Sequence, residues 1–244
     1  MPNRIMAHMV AFYPDGELSL EIAKALLKGG CSLLEVQFPF SDPTADGRYI
    51  QKACDRAITA GFTLQGGFSL TAEIRKITDV PVFIMGYANS VVSLGVESFL
   101  DLARRSGATG LIVPDLPPDY DEGLFESANS MGLSAVPIVC PSTRKERLKR
   151  IFSLVPEFVY AVLRKGITGD YTKIGESNVR FLQKVSSGGA KVLAGFGLST
   201  KQQVDALSRY VHAAVVGTAF VKEIIKHDTG DIRDAVYRKM KDLL

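Results

Sequence analysis

Leu33-Leu34-Glu35-Val36-Gln37-Phe38-Pro39-Phe40-Ser41-Asp42-Pro43-Thr44-Ala45-Asp46-Gly47 is an apolar run that carries one carboxylate and then opens into a loop rich in Pro, Asp and Gly with two more. Residues 32 to 37 read as a buried strand followed by a loop. Desolvating an ionised carboxylate costs several kcal/mol unless the group is paired or its pKa rises. Glu35 therefore needs a reason to be there: either it does chemistry, or a neighbouring Lys, Arg or backbone donor satisfies it.

Outward from this stretch, short apolar runs alternate with amphipathic segments about every 30 residues, the rhythm of βα units. Eight strands are expected, at residues 6–12, 32–37, 80–85, 110–113, 134–139, 158–163, 191–194 and 213–216. Helices are expected at 49–60, 68–77, 96–105, 120–130, 144–154, 179–185 and 219–225. A further helix follows the first strand and stops at Gly29-Gly30, and a terminal amphipathic helix over 232–244 covers the barrel. Two helices after the second strand give that unit one more than its neighbours. Eight such units predict a single (β/α)8 TIM-barrel domain over residues 1–244, with an open doubly wound sheet as the alternative.

In a barrel of this kind the carboxyl ends of the strands carry the chemistry. Glu35, Asp46, Tyr160 and the glycine turns Gly195-Phe196-Gly197 and Gly217-Thr218 all fall at that end. Each turn precedes a helix, where outward N–H groups and the positive end of the helix dipole bind phosphate without a basic side chain. On a strand's two-residue alternation, Gln37 points the same way as Glu35. Residues 164–172, rich in glycine and polar side chains, read as a mobile loop that closes over a ligand.

Totals narrow the function classes. With 244 residues and 46% hydrophobic content the chain can bury one large core. A net charge of +3 with interspersed signs offers no basic patch for nucleic acid, though it suits an anionic ligand. Cys31, Cys54 and Cys140 lack metal-ligand spacing and read as core thiols in a reducing cytoplasm. His8, His212 and His227 share no ligand spacing and receive no metal or catalytic role. No signal peptide or membrane span is expected.

The opening stretch resembles the α subunit of tryptophan synthase, whose second strand and loop read Glu-x-Gly-x-Pro-Phe-Ser-Asp-Pro-x-Ala-Asp-Gly. The resemblance continues through Tyr87-Ala88-Asn89, Asp115-Leu116-Pro117, Cys140-Pro141, Tyr160, Arg164 with residues 166–169, Gly195-Phe196-Gly197 and Gly217-Thr218-Ala219. It implies retro-aldol cleavage of indole-3-glycerol phosphate to indole and glyceraldehyde 3-phosphate, in tryptophan biosynthesis, by a chain that works with a β subunit in an α2β2 heterotetramer. Position by position, Glu35 resembles the general acid/base and Asp46 the carboxylate that holds the ring N–H. Tyr160 resembles a substrate-contacting tyrosine, and Gly169, Gly197, Gly217 and Thr218 resemble the phosphate site. Phe196 and Met85 are expected to wall an indole pocket. The resemblance implies no cofactor and no metal.

The chain departs from the family at Gln37, Phe12 and Lys165, and its start is shorter than the family's usual one. An amide at Gln37 is expected either to donate to Glu35 or to crowd the ring toward Phe12 or Met85. Two other functions stay open at this point: a free-standing indole-releasing or other phosphosugar lyase, and a regulatory subunit that binds phosphate ligands and catalyses little.

Overall fold

A computed structural model describes residues 3–164, 166, 168, 171–227 and 231–244. Its strands are β1 (Ile5–Val10), β2 (Leu33–Gln37), β3 (Val82–Met85), β4 (Gly110–Ile112), β5 (Ser134–Ala135), β6 (Ile138–Val139), β7 (Phe158–Val162), β8 (Lys191–Gly195) and β9 (Ala213–Val216). Every pairing is parallel, in the order β5-β4-β3-β2-β1-β9-β8-β7-β6. The two ends of that order are pieces of one strand. The expected fifth strand, 134–139, is broken at Val136-Pro137 because proline has no N–H to give to a ladder. Its first half pairs with β4 and its second with β7, while Val136 N–H donates to Leu111 O (2.9 Å) and Pro137 O accepts from Tyr160 N–H (2.9 Å). The sheet thereby closes into the (β/α)8 barrel.

The barrel separates its apolar side chains into two layers. Met6, Leu33, Phe83, Phe158, Leu193 and Val215 fill the interior, with the Phe83 and Phe158 rings edge to face at 5.2 Å. Leu34, Val36, Val82, Ile84 and Val159 pack outward under the helices. Strands buried on both faces read as continuous apolar runs, which is why their sequence showed no alternation. On β2 the inward positions are 33, 35 and 37, so Glu35 and Gln37 share the interior with Leu33.

The helices are α1 (Gly16–Gly29), α2 (Arg48–Thr59), α3 (Leu64–Lys76), α4 (Ala88–Leu94), α5 (Val96–Arg105), α6 (Leu124–Ser130), α7 (Lys145–Ser153), α8 (Glu176–Ser186), α9 (Lys201–Leu207), α10 (Thr218–Lys226) and α11 (Ile232–Leu243). The doubled unit after β2 is present as α2 and α3, and α11 packs on α1 and α10. Two helix starts and one whole helix differ most from expectation. Helix α3 starts four residues earlier than expected, because the Thr63 side chain accepts from Gly66 N–H. Helix α6 starts at Leu124 rather than Tyr120, after Gly123 in the left-handed region at φ 81°. Helix α4 was not expected, and Asp115 holds its start by accepting from Ala88 N–H at 2.8 Å.

The closing seam is tight at Gly110, the register partner of Ser134, where a Cβ would run into the Ser134 carbonyl oxygen. Gly110→Ala should therefore force the two strands apart and cost about 1–3 kcal/mol. Urea denaturation measures this, and an unchanged midpoint would show that the seam gives freely.

Candidate functional site

At the carboxyl end of the barrel lies a cavity of about 610 Å³. Glu35 stands on its wall from β2, Met85 from β3, Tyr160 from β7 and Asp46 from the loop after β2. Phe196, Gly197, Gly217 and Thr218 reach it from the turns after β8 and β9. The sequence-predicted site residues thus meet around one space. Gly169 is the exception: with Lys165 it lies outside the described residues.

Both carboxylates are buried, at 4% exposure for Glu35 and 3% for Asp46. Glu35 is answered by histidine rather than by Lys or Arg. His8 on β1 is its register partner, and Nδ1 lies 3.1 Å from Glu35 Oε2. Burial opposes a charge on this imidazole, but the Glu35 carboxylate, the hydrogen bond to it and the field of Asp46 together outweigh burial and hold the His8 pKa above its ordinary value. His8 Nε2 is buried with no partner among the described residues. An unmet nitrogen of this kind costs about 1–3 kcal/mol.

Asp46, in the loop after β2, is buried among donors. Its Oδ2 accepts from Gln37 Nε2 and from the Tyr87 hydroxyl, each at 2.8 Å. Burial raises its pKa, and His8, Tyr87 and Gln37 offset only part of that rise. Gln37 turns inward as its strand position requires, but its amide serves Asp46 rather than Glu35, and it does not line the cavity. Phe12 is also off the cavity, packed edge to face on Phe62 at 5.5 Å in the outer layer. The Tyr160 phenol is pushed well above its ordinary pKa by burial and then by Glu35 and Asp46, so it remains an O–H donor.

The two glycine turns differ. After β8, Phe196 and Gly197 both take positive φ (81° and 80°), which sets the turn. The helix that follows is satisfied internally: Gln203 Oε1 accepts from Ser199 N–H at 2.8 Å and Thr200 N–H at 3.1 Å, and Thr200 caps Gln203. Helix α10 has no side-chain cap at its start. Its first turn is therefore the better place for an anion. Thr168, from the segment expected to close over the cavity, bonds the loop after β2: Gly47 N–H donates to its Oγ1 at 2.8 Å.

The chain matches the family model described as tryptophan synthase alpha chain over residues 2–242. It belongs to that family. The tryptophan synthase alpha chain of Helicobacter hepaticus is 37% identical over 93% of this chain and 87% of its own. That of Methanothermobacter thermautotrophicus is 34% identical over 96% and 87%. Among solved structures, a tryptophan synthase complex from Pyrococcus furiosus superposes with TM-score 0.89 at 31% identity, covering 98% of this chain and 97% of that one. Mycobacterium tuberculosis tryptophan synthase gives TM-score 0.90 at 26% identity, covering 99% and 91%.

Sequence reasoning missed His8, and Cys140, half-buried against the barrel interior, also lines the cavity. The signal for His8 was available: Met6 and His8 alternate inward on β1 as Leu33 and Glu35 do on β2. Cys31 and Cys54 are buried free thiols, as expected. Among the described residues no group of three His, Cys, Asp or Glu side chains is arranged to hold a metal ion, and no helix is long and apolar enough to cross a membrane.

The raised pKa of Asp46 gives a stability prediction. A carboxyl whose folded pKa lies above its unfolded value of about 3.9 contributes most below that value and loses the contribution as pH rises through the folded pKa. Asp46→Asn, which mimics the protonated group, should match or exceed the parent Tm at pH 7, and the advantage should vanish near pH 3. A lower Tm at pH 7 that recovers in acid would show instead that the ionised carboxylate stabilises the fold.

Proposed function

We propose that this chain is the lyase subunit of a tryptophan synthase, one barrel domain that cleaves indole-3-glycerol phosphate to indole and glyceraldehyde 3-phosphate. The observation that carries the reading is the placement of two buried carboxylates, Glu35 and Asp46, on one cavity with the uncapped start of α10. The phosphate binds at Gly197, Gly217 and Thr218, with Gly169 from the loop after β7. Met85 and Phe196 flank the indole ring.

Cleavage needs a proton delivered to indole C3 and a proton removed from the hydroxyl on the adjacent side-chain carbon. Glu35 does both. Protonation at C3 makes the ring an electron sink, the hydroxyl becomes a carbonyl as its proton leaves, and the carbon–carbon bond electrons return to the ring. Positive charge at the ring nitrogen is greatest midway, and Asp46 stabilises it by accepting the N–H. Gln37 and Tyr87 occupy Oδ2, so Oδ1 is the oxygen left for the ring. Tyr160 donates its hydroxyl to the substrate. The low dielectric of the barrel mouth strengthens each of these contacts.

A tryptophan synthase β subunit is the proposed partner, which receives the indole. Val92 and Leu94 on α4 and Tyr120 after β4 are large exposed apolar side chains on connections at the same end of the barrel as the cavity, as a protein-covered rim requires. Three free thiols suit a cytoplasmic enzyme.

Glu35→Gln fills the same volume and keeps an acceptor for His8 but cannot exchange a proton. It should lower kcat by about 10² or more with the Tm nearly unchanged. Steady-state kinetics decide, and a variant that retains near-parental kcat would remove Glu35 from the mechanism.

A further inference from the structure

His8 has no part in the reaction as assigned above, yet it stands between its two halves. Nδ1 faces Glu35 Oε2 at 3.1 Å, and the other side of the ring lies against the turn that opens α10, where a Cβ on Gly217 would come within 3.0 Å of the His8 Cγ. The ring lines the cavity, is 5% exposed, and leaves Nε2 buried and unpartnered among the described residues. A ligand that spans from the proton-exchanging carboxylate to an anion at α10 runs along the wall to which this ring contributes.

We infer that His8 is a substrate-binding residue whose Nδ1–H holds Glu35 and whose Nε2 takes a hydroxyl of the substrate's three-carbon chain. The proposal rests on the lyase reading above. A hydroxyl is the group that fits, because it can donate to Nε2 of a neutral ring and accept from Nε2–H of a protonated one, whereas a phosphate oxygen or a carbonyl only accepts. The same ring then fixes two things at once: the orientation of the carboxyl group of Glu35, and the rotation of the chain that presents its reacting hydroxyl to it.

Two isosteric truncations separate these roles. His8→Asn keeps a donor at the Nδ1 position and deletes Nε2, while His8→Gln keeps a polar group near the Nε2 position and alters the contact with Glu35. Each is assayed on the full chain for kcat/KM with indole-3-glycerol phosphate and for inhibition by indole-3-propanol phosphate, which has the ring and phosphate but no chain hydroxyl. His8→Asn should lose about fivefold to tenfold in kcat/KM while its inhibition constant for the hydroxyl-free analogue stays within about twofold of the parent, and His8→Gln should retain more kcat/KM than His8→Asn. Parental kcat/KM in His8→Asn, or equal losses for both compounds, would overturn the proposal and make the ring a partner of Glu35 alone. A parent that neither cleaves the substrate nor binds the analogue would instead overturn the lyase reading.

Discussion

The burial of Glu35 and Asp46 in one barrel interior is the constraint on which this molecule turns. Two carboxylates withdrawn from water repel one another and lose hydration, a cost of several kcal/mol per ion unless donors replace the solvent. The chain supplies those donors from two strands and one loop: His8 from β1 to Glu35, and Gln37 from the end of β2 and Tyr87 from the loop after β3 to Asp46. The arrangement is asymmetric. Asp46 has two neutral donors on one oxygen, whereas Glu35 faces a titratable ring, so the group that must hold charge and the group that must pass a proton are placed in different surroundings.

Closure of the barrel brings these donors together. His8 meets Glu35 because β1 and β2 pair in register, and it meets Gly217 because β9 flanks β1 on the other side. An open sheet broken between β1 and β9 would keep the first contact and lose the second. The seam at Val136-Pro137 matters for the same reason: it sets β7, and with it Tyr160, across the interior from β2. The small backbone concessions at Gly110 and Pro137 are thus what allow a ring of eight parallel strand positions to converge on one mouth.

Much of this was legible in the sequence, and the failures have physical causes. Parallel strands buried on both faces announce themselves as apolar runs, and the helices with strong amphipathic spacing, such as α5 and α11, fell at or within a residue of the expected positions. Helix α4 was invisible because Val91 and Val92 are poor helix formers and its start depends on Asp115, distant in sequence. The fifth strand looked continuous because its break lies in hydrogen bonding, not in hydropathy. In the site, inward direction followed from alternation for Glu35 and Gln37. The partner of each did not, because strand register and loop packing decide whether an amide reaches Glu35 or Asp46. His8 was passed over for want of ligand spacing, although metal binding was the wrong question to ask of an inward histidine beside an inward glutamate.

The most direct test of the whole account is turnover of indole-3-glycerol phosphate by the full chain, with indole and glyceraldehyde 3-phosphate quantified separately, in the presence and absence of a tryptophan synthase β subunit. The two buried carboxylates predict equimolar release of both products, slow for the chain alone and faster when the β subunit covers the barrel mouth. Binding of the substrate without release of either product under both conditions would contradict the account and leave the cavity a ligand site without chemistry.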